Sequence, residues 1–183
     1  YKYLKAKGYP VVYLREPGAT RISEKIRRIL LDADNQAMAA ECEMLLYMAA
    51  RAQIVDEIIA PALAKGKIVI CDRFLDSTLA YQGYGLGINL ELIASVGRFA
   101  TKGIKPGLTI FLDLAVKKGL SKCGSALDRI EKRSILYHQR VRTGYLVLAR
   151  QQPQRIKVIK VDKNKLVTQE KIRETVISCL TKH

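Results

Sequence analysis

The sequence is poor in the residues that build structural metal centres. Its 183 residues include only two histidines, at positions 138 and 183, and four widely separated cysteines with no C-x-x-C pair. Because a zinc site needs closely spaced cysteine and histidine ligands, a structural metal is not expected. Cys71 lies in an apolar run and Cys42 in a helical pattern, so both are predicted to be buried, reduced thiols.

Long hydrophobic runs are also missing. No stretch approaches the roughly 18 consecutive apolar residues of a membrane span, which argues against a membrane partner. Residues Tyr1 to Lys5 lack the apolar block of a secretory signal. Both absences predict a cytoplasmic protein.

Acidic residues are scarce relative to basic ones. Seventeen Asp and Glu stand against 32 Lys and Arg, which gives a formal charge of +15 at pH 7. This excess favours anionic partners, and nucleic acid is one candidate. The basic residues are scattered along the chain, however, and an enzyme that handles nucleotide phosphates would carry a similar charge.

The pattern of apolar residues indicates one α/β domain over residues 1–183. The hydrophobic fraction of 49% is enough for a buried core, and no linker or repeat divides the chain. Short runs rich in β-branched residues alternate with longer helical patterns, and their continuous apolar character suits a parallel sheet with helices on both faces. The predicted strands are residues 11–14, 67–71, 109–112 and 156–159.

Helices are predicted from periodicity and capping residues. Apolar residues recur at steps of three and four from Met38 to about Lys65, which predicts one long helix that Pro61 kinks near its end. Other helical patterns follow residues that can cap a helix start. These caps are Thr20, Asn89, Asp128 and Thr168.

Two of the predicted strands end in charged residues. Arg15 and Glu16 follow the first strand, and Asp72 and Arg73 follow the second. Ligands of open parallel sheets bind outside the carboxyl ends of the strands, where these side chains would lie. After Asp72, polar and aromatic groups continue to Gly85, and such a run is costly to bury without a partner. The pattern predicts a binding site, although Asp72 and Arg73 could also pair with each other or cap a helix.

Two weaker signals accompany this stretch. Pro17 and Gly18 fix a turn between the first strand and the next helix. Tyr47 and Arg51 lie four residues apart, so one helical face would offer a ring and a guanidinium to the same ligand. Taken alone, that pair is explained as well by a partly buried tyrosine beside a surface arginine.

In this order and spacing, these elements resemble thymidylate kinases of the bacterial type, from Gly8 nearly to the C-terminus. The carrying segments are Arg15-Glu16-Pro17-Gly18, Leu45-Leu46-Tyr47 with Ala49-Ala50-Arg51-Ala52-Gln53, Asp72-Arg73 through Gln82-Gly83, Lys105-Pro106-Gly107-Leu108-Thr109 with Leu112-Asp113, and Leu127-Asp128-Arg129-Ile130-Glu131.

The resemblance implies a three-layer fold of the P-loop NTPase type and a homodimer. It also implies transfer of the γ-phosphate of ATP to dTMP with Mg²⁺ as cofactor, and no nucleic-acid partner. Arg15 and Arg73 would bind the dTMP phosphate, a suitable task for guanidinium groups. Asp72 would position the magnesium ion through water. The resemblance places Glu16, Pro17 and Ser77 in the dTMP site as well.

The same resemblance assigns the nucleoside contacts. Tyr47 would stack on thymine, where the family more often has phenylalanine, and Arg51 would donate to a thymine carbonyl. Thr78 and Gln82 would lie near the base. Tyr81 would lie against the sugar and disfavour a 2′-hydroxyl by exclusion.

Residues 121–133 match the family's lid, in which basic residues close over the phosphates. Lys122 and Arg129 are the implied ATP contacts, and Arg129 joins Asp72 and Arg73 as a predicted catalytic residue. The usual arginine-rich turn ahead of Leu127 is replaced by a shorter segment, residues 121–126. Either part of the lid is missing from the sequence or these two basic residues act alone.

The family begins with a strand, a phosphate loop of the form G-x-x-x-x-G-K-[ST] and a helix, and this sequence contains no such loop. Tyr1 to Lys7 are predicted to end that helix, and the lack of an initiating Met favours a truncated chain. Because the family's first strand lies inside the sheet, two strands are expected to have unpaired edges. A protein that begins at Tyr1 is not expected to transfer phosphate.

Three other functions stay open from sequence alone. Another small-molecule kinase of this fold is disfavoured by the pair Tyr47 and Arg51 and by the segment Tyr81-Gln82-Gly83. A nucleic-acid-binding module fits the charge and the nine tyrosines, but it lacks a recognisable motif. A degenerate homologue that binds dTMP without catalysis is the third.

Overall fold

The structure is a computed structural model, and it describes residues 1–122, 124 and 127–181. Cys123, His183 and positions 125 and 126 of the predicted lid lie outside the described residues. All four predicted strands are confirmed, each extended or shifted by one residue. They are β1 (Val11–Arg15), β2 (Ile68–Asp72), β3 (Thr109–Asp113) and β4 (Ile156–Lys160).

Helices separate the strands in the alternating order that the sequence predicts. The short helix at Tyr1 to Lys7 is confirmed as α1. None of the helices in the described ranges has the length and apolar character that a membrane span requires. The α-helices are α1 (Lys2–Ala6), α2 (Arg21–Leu31), α3 (Ala40–Ile54), α4 (Ala60–Ala64), α5 (Leu75–Thr78), α6 (Leu90–Ala100), α7 (Val116–Leu120), α8 (Ile135–Gln151) and α9 (Lys165–Leu180).

The predicted long helix is present from Ala40 to Ala64. In place of the single late kink that was predicted, it contains a change of helix type. A π-helical segment, Val55–Ile59, joins α3 to α4, and Pro61 lies in the first turn of α4. Proline lacks the N–H that would bond four residues back and its ring crowds that carbonyl, so the turn before it widens. A second π-helical segment, Leu79–Gly85, continues α5.

Two of the predicted helix caps are confirmed and two are wrong. Thr20 and Asn89 accept hydrogen bonds from the backbone N–H groups of Ser23 and Leu92, at 3.1 and 2.9 Å. Asp128 instead stabilises a turn, because its carboxylate accepts from the N–H groups of residues 130 and 131. Ser134 caps α8, and Asn164 caps α9, which contains Thr168.

The strands are parallel, as predicted, and form two pairs within the described part of the chain. β1 pairs with β2, and β3 pairs with β4. Each of these four strands therefore has one edge that no other described strand pairs with. The side chains of β2 up to Cys71 are only partly buried, whereas continuous burial was expected.

A buried polar contact connects the two pairs of strands. Asp76 in α5, directly after β2, accepts two hydrogen bonds from Arg155, at 2.7 and 2.8 Å, and one from Thr109 in β3. Arg155 directly precedes β4. Because a forked guanidinium–carboxylate contact fixes direction as well as distance, it orients the α5 segment relative to β3 and β4.

The prediction of buried thiols is wrong for Cys42, which is exposed on α3. Cys71 and Cys179 are partly exposed, and all three thiols are free. Cys42 directly precedes the first buried residues of α3, Glu43 and Met44, but its own side chain lies outside the buried face. Burial raises the pKa of the Cys71 thiol, which keeps it protonated at neutral pH.

Close contact between α8 and the segment Leu79–Gly85 gives a stability prediction. A Cβ atom added at Gly144 would lie 2.7 Å from Tyr84. Gly144→Ala is therefore expected to lower the free energy of unfolding by about 1–3 kcal/mol through overpacking. Gly107 has open space around it, so Gly107→Ala should change stability by less than about 0.5 kcal/mol. Urea unfolding of both variants measures the difference, and equal stabilities would contradict the close packing.

Candidate active site

The carboxyl ends of β1 and β2 bring the two charged sequence segments together. Arg15 and Asp72 are partners in the strand register, and the N–H of Glu16 donates to the carbonyl of Asp72 at 2.9 Å. The backbone hydrogen bonds between the two strands thus continue one residue beyond β1. The predicted meeting of these segments at one edge of the sheet is confirmed.

One cleft opens beside this edge, with walls from α3, α5 and the π-helical segment Leu79–Gly85. All eight residues that line it are among those named from the sequence motifs. They are Glu16, Tyr47, Arg51, Arg73, Ser77, Thr78, Tyr81 and Gln82.

Arg73 carries a guanidinium group that no carboxylate in the described part of the chain pairs with. Among the described residues, neither Arg73 nor Asp72 forms an ion pair, so the alternative in which the two pair with each other is not observed. The Arg73 guanidinium instead lies over the ring of Tyr81, with its central carbon 4.7 Å from the ring centroid. Arg73 is solvent-accessible, yet protein surrounds it on most sides, as on the wall of a cleft.

The backbone of Arg73 is left-handed, with φ of +72°. Residues other than glycine rarely adopt this conformation, and such strain concentrates at binding and catalytic sites. Burial lowers the pKa of the guanidinium, but the phenols of Tyr81, Tyr145 and Tyr47 outweigh it, so the pKa is raised overall. The site therefore holds a fixed positive charge.

Arg51 is buried and paired with Glu16, which corrects the alternative of a surface arginine. Only 1% of Arg51 is exposed, and its Nε donates to Glu16 Oε2 at 2.8 Å. Its Nη1 contacts the sulfur of Met48, and none of the described residues accepts a hydrogen bond from Nη2. Burial raises the pKa of Glu16, and the charge of Arg51 opposes this shift.

Two buried polar atoms in the cleft have no partner within the described residues. The Thr78 hydroxyl and Glu16 Oε1 are both buried and make no hydrogen bond. Buried polar groups are nearly always satisfied in proteins, so a pair of unsatisfied atoms in one cleft indicates a place for a polar ligand. Burial also raises the pKa of Tyr47 to about 12, so its phenol is neutral at physiological pH.

Five of the predicted site residues lie outside the lining, one of which is Asp72, exposed at the end of β2. Arg15 is exposed and contacts Glu24 at 3.5 Å, and Pro17 lies in the adjoining turn, where its carbonyl accepts a hydrogen bond from Arg27. Lys122 is exposed after α7. Arg129 is 3% exposed and donates to the carbonyl of Leu30 and to Glu43. The roles assigned to these five residues stay predictions, as do those of the residues in the lining.

Glu43 is the site component that the motifs did not reveal. It is fully buried on α3, where it accepts hydrogen bonds from Gln82, Arg129 and Arg133. The sequence does contain a signal, because Glu43, Tyr47 and Arg51 recur at steps of four and therefore share one helical face. Because Glu43 lies on the helical face that carries the predicted ligand contacts, its charge indicates a buried polar network there.

The pairing of Glu16 with Arg51 gives a prediction for stability. Glu16→Ala leaves a fully buried guanidinium without its charge partner, which should cost about 3 kcal/mol of unfolding free energy. Glu170 forms an exposed pair with Arg173 on α9, so Glu170→Ala should cost less than about 1 kcal/mol. Chemical denaturation distinguishes the two variants. A Glu16→Ala protein as stable as the control would mean that Arg51 does not depend on Glu16.

Comparisons with known proteins agree with this geometry. The thymidylate kinase family profile matches residues 1–172. Thymidylate kinase from Geotalea uraniireducens is 48% identical over 166 residues, which cover 86% of this chain and 78% of that protein. Thymidylate kinase from Symbiobacterium thermophilum is 47% identical over 176 residues, or 96% of this chain and 82% of that protein.

A solved structure supports the same relationship. The crystal structure of thymidylate kinase from Ehrlichia chaffeensis superposes with a TM-score of 0.76 at 31% sequence identity. The match covers 96% of this chain and 85% of that one. The α/β fold is therefore that of the P-loop NTPase class, and the chain belongs to the thymidylate kinase family.

Proposed function

We propose that this protein is an ATP-dependent kinase that phosphorylates dTMP to dTDP, with dTMP bound in the cleft beside β1 and β2. The observation that carries the proposal is Arg73, a charged guanidinium that lines the cleft and that no carboxylate among the described residues neutralises. A phosphate group would supply the missing negative charge through forked, charge-assisted hydrogen bonds. Arg15, across the strand register from Asp72, would be the second phosphate contact.

The base and sugar of dTMP fit the remaining walls. Tyr47 would stack on thymine, and Nη2 of Arg51 would donate to a thymine carbonyl, since no described residue takes that hydrogen bond. Thr78 and Gln82 would contact the base, and Ser77 would border the site, its hydroxyl already paired with Tyr145 at 2.6 Å. Tyr81 would exclude a 2′-hydroxyl, because its ring is confined by Arg73 and by the edges of two other tyrosines.

For the phosphate donor, we propose that Lys122 and Arg129 contact ATP from a lid over residues 121–133. In the structure Arg129 is paired with Glu43. Phosphoryl transfer needs little acid–base chemistry and depends on positioning and charge neutralisation, which arginine and lysine side chains can supply. Residues 1–183 would belong to one nucleoside-monophosphate kinase domain, located in the cytoplasm.

The proposed magnesium position uses Asp72. Within the described residues no group of three or more His, Cys, Asp and Glu forms a metal cluster. Asp72 is exposed and forms no ion pair with another described residue, which fits a carboxylate that holds a hydrated ion through water. Bound there, Mg²⁺ would neutralise phosphate charge during transfer. Asp72 would fix the position of the magnesium ion relative to Arg73.

Arg73→Ala tests the phosphate site. The variant should lose roughly tenfold to a hundredfold in dTMP affinity, because a charged hydrogen-bonding partner is removed, while thymidine affinity should hardly change. Titration calorimetry with both ligands measures the two effects. Arg150→Ala, an exposed change at the end of α8, controls for the loss of one positive charge.

The kinase assignment itself is tested by conversion of dTMP to dTDP by the full-length protein with ATP and Mg²⁺. Equal losses of dTMP and thymidine affinity in Arg73→Ala would contradict the phosphate role. Oligonucleotide binding that falls steeply with salt, combined with no dTMP binding, would instead favour a nucleic-acid module.

We also propose that the protein is a homodimer. α3 and α6 pack together through Met44, Met48 and Ile93. Their outer faces expose large apolar side chains, with Phe99 87% exposed, Leu92 50% and Leu45 53%. A second copy of the chain would cover this surface, as the resemblance implies.

Phe99→Glu should weaken the dimer, because it places a charge in the centre of an apolar interface. Sedimentation velocity over a range of concentrations would show monomers in place of dimers. Leu136→Glu on α8 is the control, since Leu136 is also exposed but lies on a different helix. A monomeric wild-type protein, or an unaffected Phe99→Glu dimer, would contradict this assignment.

A further inference from the structure

Gln82 lies between the cleft and the buried carboxylate of Glu43. Only 2% of Gln82 is exposed, and it lines the cleft together with Thr78 and Arg51. Its Nε2 donates to Glu43 Oε1 at 2.8 Å. None of the described residues donates a hydrogen bond to the other end of the amide, Oε1. One end of the side chain is thus engaged and the other is available.

Glu43 determines which end of the amide is engaged. A carboxylate has only acceptor atoms, so the atom of Gln82 that faces it must be the NH₂ group. Glu43 Oε2 accepts from the guanidinium groups of Arg129 and Arg133, both at 2.6 Å. With its second oxygen occupied by two cations and no exposed surface, the carboxylate has a fixed position and polarity. The carbonyl of Gln82 must therefore point away from Glu43.

Resting on the proposed function, we infer that Glu43 is a positioning residue that makes the enzyme select thymine over cytosine. Through Gln82, it presents an obligatory acceptor to the base, beside the donor Nη2 of Arg51. Thymine offers the matching pattern, because its N3 carries a hydrogen and its O4 is an acceptor. Cytosine reverses both groups, with an unprotonated N3 and an amino group at C4.

The energetic consequence follows from the cost of unpaired polar groups. If the amide of Gln82 could turn over, its NH₂ could donate to N3 of cytosine and part of the mismatch would disappear. With the amide fixed, N3 of cytosine, which is an acceptor, would face the carbonyl oxygen of Gln82, which is also an acceptor. A site built to hydrogen-bond a ligand rejects analogues that leave its buried polar groups unsatisfied.

Glu43→Gln tests this inference with almost no change in side-chain shape. A glutamine at position 43 can donate or accept, so the amide of Gln82 is no longer fixed. The ratio of dTMP to dCMP affinity, measured by calorimetry, should fall about tenfold or more. Glu170→Gln, an exposed change on α9, should leave the ratio unaltered.

A double-mutant comparison separates positioning from general destabilisation. Gln82→Met removes the amide at similar size, and it should lower the same ratio by itself. Adding Glu43→Gln to Gln82→Met should then change the ratio no further, because Glu43 acts through the amide. A ratio that is unchanged in Glu43→Gln, or that falls equally in both backgrounds, would overturn the inference even where dTMP binding persists.

Failure of the wild-type protein to bind dTMP and failure of Glu43→Gln to fold are interpreted separately. If the wild-type protein does not bind dTMP, the proposed function fails before the ratio is considered. If Glu43→Gln does not fold, the test moves to hydrogen exchange of the Gln82 side-chain NH₂ in the wild-type protein by NMR. Protection relative to the exposed Gln139 supports a fixed amide, and exchange as fast as that of Gln139 overturns it.

Discussion

The parallel register of β1 and β2 is the constraint on which the site depends. Because Arg15 pairs with Asp72, the residues that follow each strand, Glu16 and Arg73, emerge at the same edge of the sheet. From there the Glu16 carboxylate reaches Arg51 on α3, and Arg73 reaches Tyr81. A shift of one residue in this register would turn every side chain of β1 to the opposite face and disperse the cleft.

Buried and partly buried ion pairs orient two walls of the cleft, α3 and α5, around this edge. Glu16 with Arg51 positions α3, Glu43 with Arg129 and Arg133 connects α3 to the lid region, and Asp76 with Arg155 orients α5. Buried charges cost free energy to desolvate, so such pairs are better explained by orientation than by stability. Arg73 stands apart from them as the charge that a substrate would neutralise.

The strands were predictable from sequence because local patterns determine them, and strands such as 109–112 appear as short β-branched runs. The residues that line the cleft, such as Tyr47 and Gln82, were named from the resemblance of their motifs to thymidylate kinases, and the structure places them together. Features that depend on packing between distant segments were not predictable. The exposed thiol of Cys42 and the cap of α8 at Ser134 are two such features.

The most direct test of this account is a crystal structure of the full-length protein with dTMP. We expect the phosphate on the guanidinium of Arg73, the thymine ring against Tyr47, and a carbonyl of the base within hydrogen-bonding distance of Arg51. A complex in which dTMP lies elsewhere, or in which Arg73 faces away from the phosphate, would contradict the central claim that this uncompensated charge is the substrate's phosphate site.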